Sequence, residues 1–480
     1  MPPRRLRIAF LHPDLGIGGA ERFVVDAALG LRKLGHIVDI YTSHWDPNHC
    51  FEETKDDSLK VRYVKPPFPR SIKGKFHILC AHARQMHLVT HLLSANAQSY
   101  DVYFVDQLST CVPFLRVIGS TRVVFYCHFP DKLLANGAFV DGTLLNKQGS
   151  LLKRIYRYPM DWLEEVTTRQ ADVILANSKF TARVFKSYFP SISQNPDIVY
   201  PGINIQAYTS NVDTSNTDVA TILSETPTLL SLNRFEKKKN AALAIEAFAI
   251  MKAREPTQAL RLVLAGGYDP RLQDNIQTLR TLTELATTHS LSYNIITPTI
   301  STIPVPDHTK VSTPDIVFLL NFTTAQRTAL LNSTSTKALL YTPANEHFGI
   351  GPIEGMICGV PVLACDSGGP TESIIDTPSD DRTGWLRPPD PVVWADTLQE
   401  ILALSPGARE AISSRGRERA REFFSLDAMS KGLEVALLKV VALGSVQNLI
   451  FKVFVMLIGL LAAYVFTSKI TSFLIPSRFQ

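Results

Sequence analysis

Two glutamates in the second half of the chain have the spacing of a ligand site. Glu346 and Glu354 are separated by seven residues, which include two glycines and a proline. Apolar runs at residues 337–341 and 360–364 flank this stretch and predict the order strand, loop, helix, strand. Carboxylates accept hydrogen bonds from hydroxyls, and free N–H groups at a helix N-terminus bind phosphate. The stretch therefore fits a sugar nucleotide.

The elements around the two glutamates must place them on one side of a sheet. Pro352 suits the first turn of the predicted helix, and the glycines before it leave backbone N–H groups free. Glu346 is expected in the loop at the carboxyl end of a strand, where open α/β sheets bind ligands. Glu354 is expected about one turn into the helix. The alternative for two such glutamates is an ordinary solvated surface.

A second set of charged residues follows the predicted strand at residues 228–232. The turn at residues 233–240 contains Arg234 and Lys239. An arginine binds a diphosphate through two parallel hydrogen bonds, whereas a lysine acts as a point charge. A solvated charge cluster is the alternative. His128 also stands where a predicted strand ends, at residues 123–126, although a lone histidine is more often structural.

Near the N-terminus, a strand at residues 7–11 runs into a glycine-rich turn that contains Gly18 and Gly19. This turn either lets the backbone approach a phosphate or is a plain tight turn between strand and helix. It is not a G-x-G-x-x-G motif, and no acidic residue is placed for a ribose. The apolar run is too short for a secretory signal peptide.

Composition limits the class of protein. The 480 residues suggest two or three domains, and 45% hydrophobic with 19% charged residues is ordinary for a globular chain. A net charge of +5 suits anionic lipid or a pyrophosphate but is too weak to indicate nucleic acid. The six scattered cysteines form no CxxC pair, which favours buried thiols. The absence of an Asp-x-Asp triplet leads us to expect no required metal cofactor.

Strands and helices alternate through two similar halves, which predicts an α/β fold with two doubly wound, Rossmann-like domains facing across a cleft. We assign residues 1–200 to an N-terminal, acceptor-side domain and residues 201–425 to a donor domain with polar loop insertions near 209–226 and 298–314. A single helix at about 408–439 is expected to pack across the domain join, and residues 426–444 are assigned as the helix that packs back across it. Residues 445–480 are an apolar tail.

The motifs carry a family resemblance. Phe348-Gly349, Gly351-Pro352 and the stretch at 366–372 resemble the donor-site signature of retaining GT-B glycosyltransferases of family 4. The segments at 125–131, 156–165 and 233–240 are similar to the dolichol-pathway alpha-1,3/1,6-mannosyltransferases of that family. The similarity covers about residues 5 to 430.

The resemblance implies a GT-B enzyme that transfers mannose from GDP-mannose to Man-GlcNAc2 on dolichyl diphosphate, first in alpha-1,3 and then in alpha-1,6 linkage. It implies catalytic roles for His128 and Glu346, and it favours Gly18 and Gly19 facing the cleft. The donor would be bound by a larger set of residues: Gly18, Gly19, Arg234, Lys239, Phe348, Gly349, Ile350 and Glu354.

Membrane attachment is a further expectation. The apolar run at 449–466 is interpreted as an anchor that spans the bilayer thinly or lies in it, with a buried core helix as the alternative. Segments 76–93 and 144–158 are either surface helices or membrane-surface segments. The expected location is the endoplasmic reticulum membrane, with the catalytic domains on the cytosolic face. Membrane lipid and other dolichol-pathway mannosyltransferases are the predicted further partners.

Two other functions stay open on the residues alone. One is a catalytically silent GT-B scaffold that organises other transferases on the membrane. The other is a family 4 transferase with a different sugar donor or lipid acceptor, because residue chemistry does not select the nucleotide base or the sugar.

Overall fold

A computed structural model describes residues 4–446, apart from residues 48, 57, 73–75, 95–97, 131–132, 134–138, 141–142, 145–150 and 210–211. The predicted apolar tail lies outside the described residues, as does part of segment 144–158. Within the described part of the chain, no helix is long and apolar enough to cross a membrane.

The N-terminal half contains a sheet of seven parallel strands in the order β3-β2-β1-β4-β5-β8-β9. Its strands are nearly continuous apolar runs, as expected for a parallel sheet covered on both faces. Their bounds are β1 Arg7–His12, β2 Ile37–Thr42, β3 Lys60–Tyr63, β4 Val102–Asp106, β5 Arg122–Cys127, β8 Val173–Ala176 and β9 Asp197–Ile198; a short antiparallel pair, β6 Phe139–Val140 and β7 Thr143–Leu144, lies outside this sheet.

Helices cover both faces of this sheet. They are α1 Gly19–Lys33, α2 His77–Leu92, α3 Val112–Val117, α4 Leu151–Thr168 and α5 Lys179–Tyr188. Helix α2 buries one face, which includes Leu88, Val89 and Leu92. It is therefore packed as a surface helix of the domain. Ser178 is the N-cap of α5, because its hydroxyl accepts a hydrogen bond from the Thr181 amide.

The C-terminal half repeats the plan with seven parallel strands in the order β12-β13-β11-β10-β14-β15-β16. The strands are β10 Thr228–Leu232, β11 Arg261–Gly266, β12 Tyr293–Ile296, β13 Ile316–Leu320, β14 Thr336–Tyr341, β15 Val362–Cys365 and β16 Trp385–Arg387. The helices are α6 Gln206–Thr209, α7 Thr217–Ile222, α8 Ala242–Arg254, α9 Gln273–Thr288, α10 Thr324–Asn332, α11 Ile350–Cys358, α12 Pro370–Ser373, α13 Pro391–Leu402, α14 Pro406–Phe424 and α15 Leu426–Ala442. Two parallel-sheet, Rossmann-like domains are thus present.

Each sheet has one point where the strand order reverses. In the first sheet this point lies between β1 and β4, and in the second it lies between β10 and β14. Loops that leave adjacent strands in opposite directions open a crevice there, at the carboxyl ends of the strands. These two crevices are the positions where the fold favours a ligand.

The chain returns from the second domain to the first beside the place where it entered. The Ile203 amide donates to the Phe424 carbonyl at 2.8 Å, and the Leu426 amide donates to the Ile203 carbonyl at 3.2 Å. Helix α15 then packs into the core of the first sheet through side chains that include Leu433 and Leu437.

Two sequence expectations were wrong locally. The single helix predicted at about 408–439 is broken at Ser425, which is extended and whose hydroxyl caps α15. The insertion near 209–226, predicted as a loop, contains α7, whose N-terminus is capped by the Asn216 side chain. The apolar pair Val219 and Ile222 is buried under that short helix, a signal too brief to give a helical period.

Candidate active site

The loop between β14 and α11 carries the first candidate carboxylate. Gly349 caps α11 with a φ of 86°, and a Cβ at this position would lie 2.8 Å from the Tyr341 hydroxyl. Both the backbone angle and the close approach require glycine. The loop therefore turns tightly enough to leave Glu346 beside the N-terminus of α11. Phe348 points away into the core, 4% exposed, so only its backbone remains available to a donor.

Lys239 and Glu346 form an ion pair, although the two residues are 107 positions apart. The lysine ends a short 3-10 turn, Lys237–Lys239, and the Thr342 hydroxyl fixes this turn by donating to the Lys239 carbonyl at 2.7 Å. Burial alone would raise the pKa of Glu346, but the Lys239 ammonium lowers it below its usual value. The carboxylate is therefore ionised at neutral pH, and a cation stands next to it.

Arg234, from the same turn, is placed differently. Its side chain is 65% exposed, lies over Gly267 and pairs with Glu236 at 3.0 Å. An exposed guanidinium is able to exchange this partner for a phosphate. The structure thus brings Lys239 to Glu346 and leaves Arg234 at the open edge of the crevice.

Glu354 lies one turn further along α11 and already has two partners. The Tyr208 hydroxyl donates to its Oε1 at 2.6 Å, and Arg327 Nη1 lies 3.2 Å from the same oxygen. The Arg327 guanidinium also covers the Tyr208 ring, 4.5 Å from its centroid. These contacts fix one carboxylate oxygen and leave Oε2 for a ligand hydroxyl. Neither Tyr208 nor Arg327 was predicted from the sequence.

Residues 366–372 pack against the loop that carries Glu346. The Gly369 amide donates to the Glu346 carbonyl at 2.7 Å. A Cβ at Gly369 would collide with the Phe348 backbone, so a larger residue would displace the loop. The close approach of the Glu346 loop therefore requires small residues at Gly368 and Gly369.

The first domain contributes a group of charged residues at its own crevice. His128 Nε2 lies 2.7 Å from Asp106 Oδ1, and His12 Nδ1 lies 2.8 Å from Asp106 Oδ2. Glu21, in the first turn of α1, approaches His12 Nε2 at 3.9 Å. The four residues come from the ends of β1, β4 and β5 and from the start of α1, which meet where the strand order reverses.

Burial and ionic partners set the protonation of this group. Burial disfavours a charge on His12, yet the hydrogen bond to Asp106 and the nearby Glu21 raise its pKa to about 9. Burial would also raise the pKa of Asp106, but its contacts with His128 and His12 lower it to about 2. At neutral pH His12 is therefore a cation and Asp106 an anion.

The glycine-rich turn lies beside this group. Gly18 is the N-cap of α1, and a Cβ there would meet the Glu21 carboxylate. A Cβ at Gly19 would meet nothing within 4 Å. The turn is thus close to His12 and open on one side, at Gly19.

Several contacts join the two domains across the cleft. The Phe129 and His347 rings stack with 3.7 Å between centroids, and the Ser178 hydroxyl donates to the His347 carbonyl at 2.5 Å. The Glu372 carboxylate accepts hydrogen bonds from the first two amides of α5, each at 2.7 Å. A carboxylate at a helix N-terminus is electrostatically favourable. The contacts place His128 and Glu346 on opposite walls of one cleft.

The predicted site residues thus divide between two crevices that face each other. Sequence reasoning missed His12 and Asp106, although both are polar residues at the carboxyl end of an apolar strand, a signal that was present. It missed Tyr208 and Arg327 because nothing in their local sequence marks them.

The fold and this site define a glycosyltransferase of the GT-B type. Residues 17–207 match the model of Glycosyltransferase Family 4, and residues 310–419 match that of Glycosyl transferases group 1. Solved structures share the fold at low identity. Sucrose-phosphate synthase from Thermosynechococcus elongatus has a TM-score of 0.66 at 18% identity, covering 92% of this chain and 100% of that one. Anabaena HepE in complex with UDP and glucose has a TM-score of 0.60 at 17% identity, covering 91% and 100%.

Curated relatives are far more similar in sequence. The alpha-1,3/1,6-mannosyltransferase ALG2 of Rhizomucor pusillus is 46% identical over 445 residues, covering 92% of this chain and 93% of the relative. That of Saccharomyces cerevisiae is 40% identical over 444 residues, covering 90% and 85%. The chain belongs to the ALG2 family of alpha-1,3/1,6-mannosyltransferases.

Proposed function

We propose that this glycosyltransferase moves mannose from GDP-mannose to Man-GlcNAc2 carried on dolichyl diphosphate. It adds an alpha-1,3 and then an alpha-1,6 mannose during assembly of the N-glycan precursor. The observation that carries the proposal is the pairing of Lys239 with Glu346 opposite His128. A cation for a leaving diphosphate and a carboxylate for sugar hydroxyls lie on one wall, and an imidazole lies on the other.

The charges of the cleft suggest how transfer proceeds. The leaving diphosphate gains negative charge as the sugar becomes oxocarbenium-like, so Lys239 and Arg234 act mainly in the transition state. Glu354 Oε2 is available to the ribose, and the backbone N–H groups at the start of α11 are available to the diphosphate or the sugar.

The stereochemistry is proposed to be retaining without a covalent intermediate. Among the described residues, Glu346 and Asp106 are carboxylates of the cleft that already have charged or histidine partners. Glu346 is paired with Lys239, and Asp106 is fully buried against two histidines. Neither is placed as a nucleophile toward a bound sugar. Departure of the diphosphate and attack of the acceptor on the same face fits this arrangement.

Both linkages are proposed to use one donor pocket. Among the described residues, one Glu-x7-Glu stretch lies at the carboxyl end of a strand, since the other, Glu410 to Glu418, lies within α14. The crevice of the first domain carries His12, Asp106 and His128 instead. The acceptor would turn so that a different hydroxyl faces the anomeric carbon. Because reaction rates depend steeply on such orientation, the two steps can differ greatly in speed.

We also propose that the enzyme works at the cytosolic face of the endoplasmic reticulum membrane, with the apolar tail at 445–480 in contact with lipid. The lipid-linked acceptor requires such a location. Association with other dolichol-pathway mannosyltransferases is compatible with it. The sequence of the tail is the support for this part of the proposal.

A transfer assay tests the proposal. Purified protein is offered GDP-mannose, UDP-mannose, GDP-glucose or UDP-glucose together with a short-chain lipid-diphosphate Man-GlcNAc2, and the product linkages are determined. We expect mannose transfer from GDP-mannose only, in both linkages. Preference for another donor would replace the substrate assignment. Folded protein that neither transfers nor hydrolyses any donor would favour the scaffold.

A further inference from the structure

In the group formed by His12, Asp106 and His128, two members are almost completely buried. Asp106 is 0% exposed and His12 is 1% exposed. A buried ion pair is costly to desolvate and contributes little to stability compared with apolar residues of similar size. Asp106 therefore invites a functional explanation.

The geometry gives Asp106 a fixed place between two rings. Its Oδ2 accepts a hydrogen bond from His12 Nδ1 at 2.8 Å. Its Oδ1 lies 2.7 Å from His128 Nε2. The carboxylate favours a proton on the nitrogen that faces it.

The orientation of His128 follows from that contact. Nε2 is fully buried, whereas the imidazole as a whole is 21% exposed. The exposed part of the ring therefore excludes Nε2, which leaves Nδ1 as the ring nitrogen through which His128 can meet a ligand. A ring whose single proton is on Nε2 presents Nδ1 as a hydrogen-bond acceptor. The Phe23 ring, perpendicular to it at 5.3 Å, restricts its rotation further.

We propose that Asp106 and His12 are positioning residues for mannose transfer. Asp106 orients His128 so that Nδ1 accepts a hydrogen bond from a substrate hydroxyl in the cleft, and His12 balances the buried charge of Asp106. This inference rests on the proposed function, because it assigns the two residues to that reaction. Glu21, in the first turn of α1 next to the glycine-rich turn, also contacts this group, with its carboxylate 3.9 Å from His12 Nε2.

The role predicts a specific pattern of kinetic effects. Asp106→Asn keeps the size of the side chain but removes the charge that selects the His128 proton. We expect kcat for transfer to fall by about 100-fold, the scale of a lost general acid or base. The affinity for GDP-mannose, measured by calorimetry, should stay unchanged, because the charged residues proposed to bind the donor, Arg234, Lys239 and Glu354, belong to the other domain.

Double substitution separates orientation from general damage. If Asp106 acts through His128, then Asp106→Asn combined with His128→Ala should be no slower than His128→Ala alone. Independent losses that multiply would overturn the proposal. Asp39→Asn is the matched control, since Asp39 is a 1% exposed carboxylate of the same sheet, paired with Arg62 and Tyr100. An equal fall in kcat in this variant would also overturn it.

Folding is controlled by a second variant. Asp106→Asn leaves the His12 cation buried, so the combined His12→Asn and Asp106→Asn protein removes both charges. It should melt as one cooperative unit and show the same loss of kcat. Wild-type activity in this folded variant would contradict the positioning role of Asp106 and His12 but not the proposed mannose transfer. Failure of the wild-type protein to transfer mannose contradicts the proposed function first.

Discussion

Phe129 and His347 stack face to face across the cleft, with 3.7 Å between ring centroids and 8° between ring planes. Each is the chain neighbour of a candidate catalytic residue, His128 on one wall and Glu346 on the other. Burial lowers the pKa of His347 to about 4, so its ring is neutral at physiological pH and stacks as an aromatic group. The spacing between the two walls is therefore fixed at this contact.

Removing the stack should impair transfer without abolishing it. His347→Ala deletes an aromatic pair for which about 0.5–1.5 kcal/mol is typical, so we expect kcat to fall by roughly 2- to 12-fold. Donor affinity should change little. His308→Ala is the control, because His308 stacks on Tyr293 at 6.0 Å outside the cleft. An unchanged kcat in the His347 variant would argue against a role for this contact.

In the basic turn at residues 233–240, only Arg234 and Lys239 are expected to contribute to the use of GDP-mannose. Lys239→Ala or Arg234→Ala removes a charge-assisted contact to the diphosphate, for which roughly 1.5–3 kcal/mol is expected, or about 10- to 150-fold in kcat/KM for GDP-mannose. Lys238→Ala is the matched control, since Lys238 is 70% exposed and pairs with Glu236 at 3.2 Å. A folded double variant of Arg234 and Lys239 with normal kcat/KM would refute the diphosphate assignment.

Glu354 should be required for both linkages. Glu354→Ala removes the proposed ribose ligand and also leaves Arg327 and Tyr208 without their shared carboxylate. We expect alpha-1,3 and alpha-1,6 products to disappear together. Tyr208→Phe, which removes only the 2.6 Å hydrogen bond, should reduce both products by the same smaller factor. Loss of one linkage with the other at the wild-type rate would indicate a second active site.

Because His12 is a buried cation, the free energy of unfolding should decrease as the pH rises above neutrality. Its pKa in the folded protein is raised from 6.5 to about 9, so its contribution is complete below pH 6.5 and is lost between pH 6.5 and 9. Between these pH values the folded protein binds about one proton more than the unfolded protein. The free energy of unfolding therefore falls by about 1.4 kcal/mol for each unit by which the pH rises.

Urea unfolding of the wild type and of His12→Asn at several pH values measures this effect. The free energy of unfolding should fall more steeply with rising pH in the wild type, by the slope above. Parallel curves for the two proteins would mean that His12 is neutral in the folded state.

The C-terminal tail should be removable after Val446 but not from Gly444. Val446 is buried and its amide donates to the Ser120 carbonyl at 3.3 Å, while Arg122 donates to the carbonyls of Leu443 and Gly444. Protein that ends at residue 446 should fold and use a short-chain acceptor normally, but lose activity on dolichyl acceptor in vesicles. Equal loss on both acceptors by folded protein would contradict the anchor interpretation.

Much of the fold was accessible from the sequence because buried parallel strands are continuous apolar runs. The strand that precedes Glu346 and the strand that ends before Arg234 were predicted from such runs, and β14 and β10 confirm them. The break at Ser425 was not predicted, because the apolar period continues on both sides of it. Only the contact with Ile203 reveals why the helix stops.

The candidate site was accessible in part. Glu346, Lys239 and His128 each stand at the end of a strand, and their type and position suggested chemistry. Their partners are set by long-range packing instead. Arg327 reaches Glu354 from α10, and Asp106 lies between rings from two other strands. Composition and residue spacing do not predict contacts between residues that are far apart in the sequence.

Helix α15 has a consequence for how the protein is made. Its Leu433, Leu437 and Val440 side chains complete the core of the first sheet, although about 230 residues of the second domain precede them. Domains usually fold in order as they leave the ribosome. Here the first one emerges with part of its apolar surface uncovered and waits for its last helix until the second domain has been synthesised. Chaperone binding to nascent chains should therefore persist until residue 442 is outside the exit tunnel.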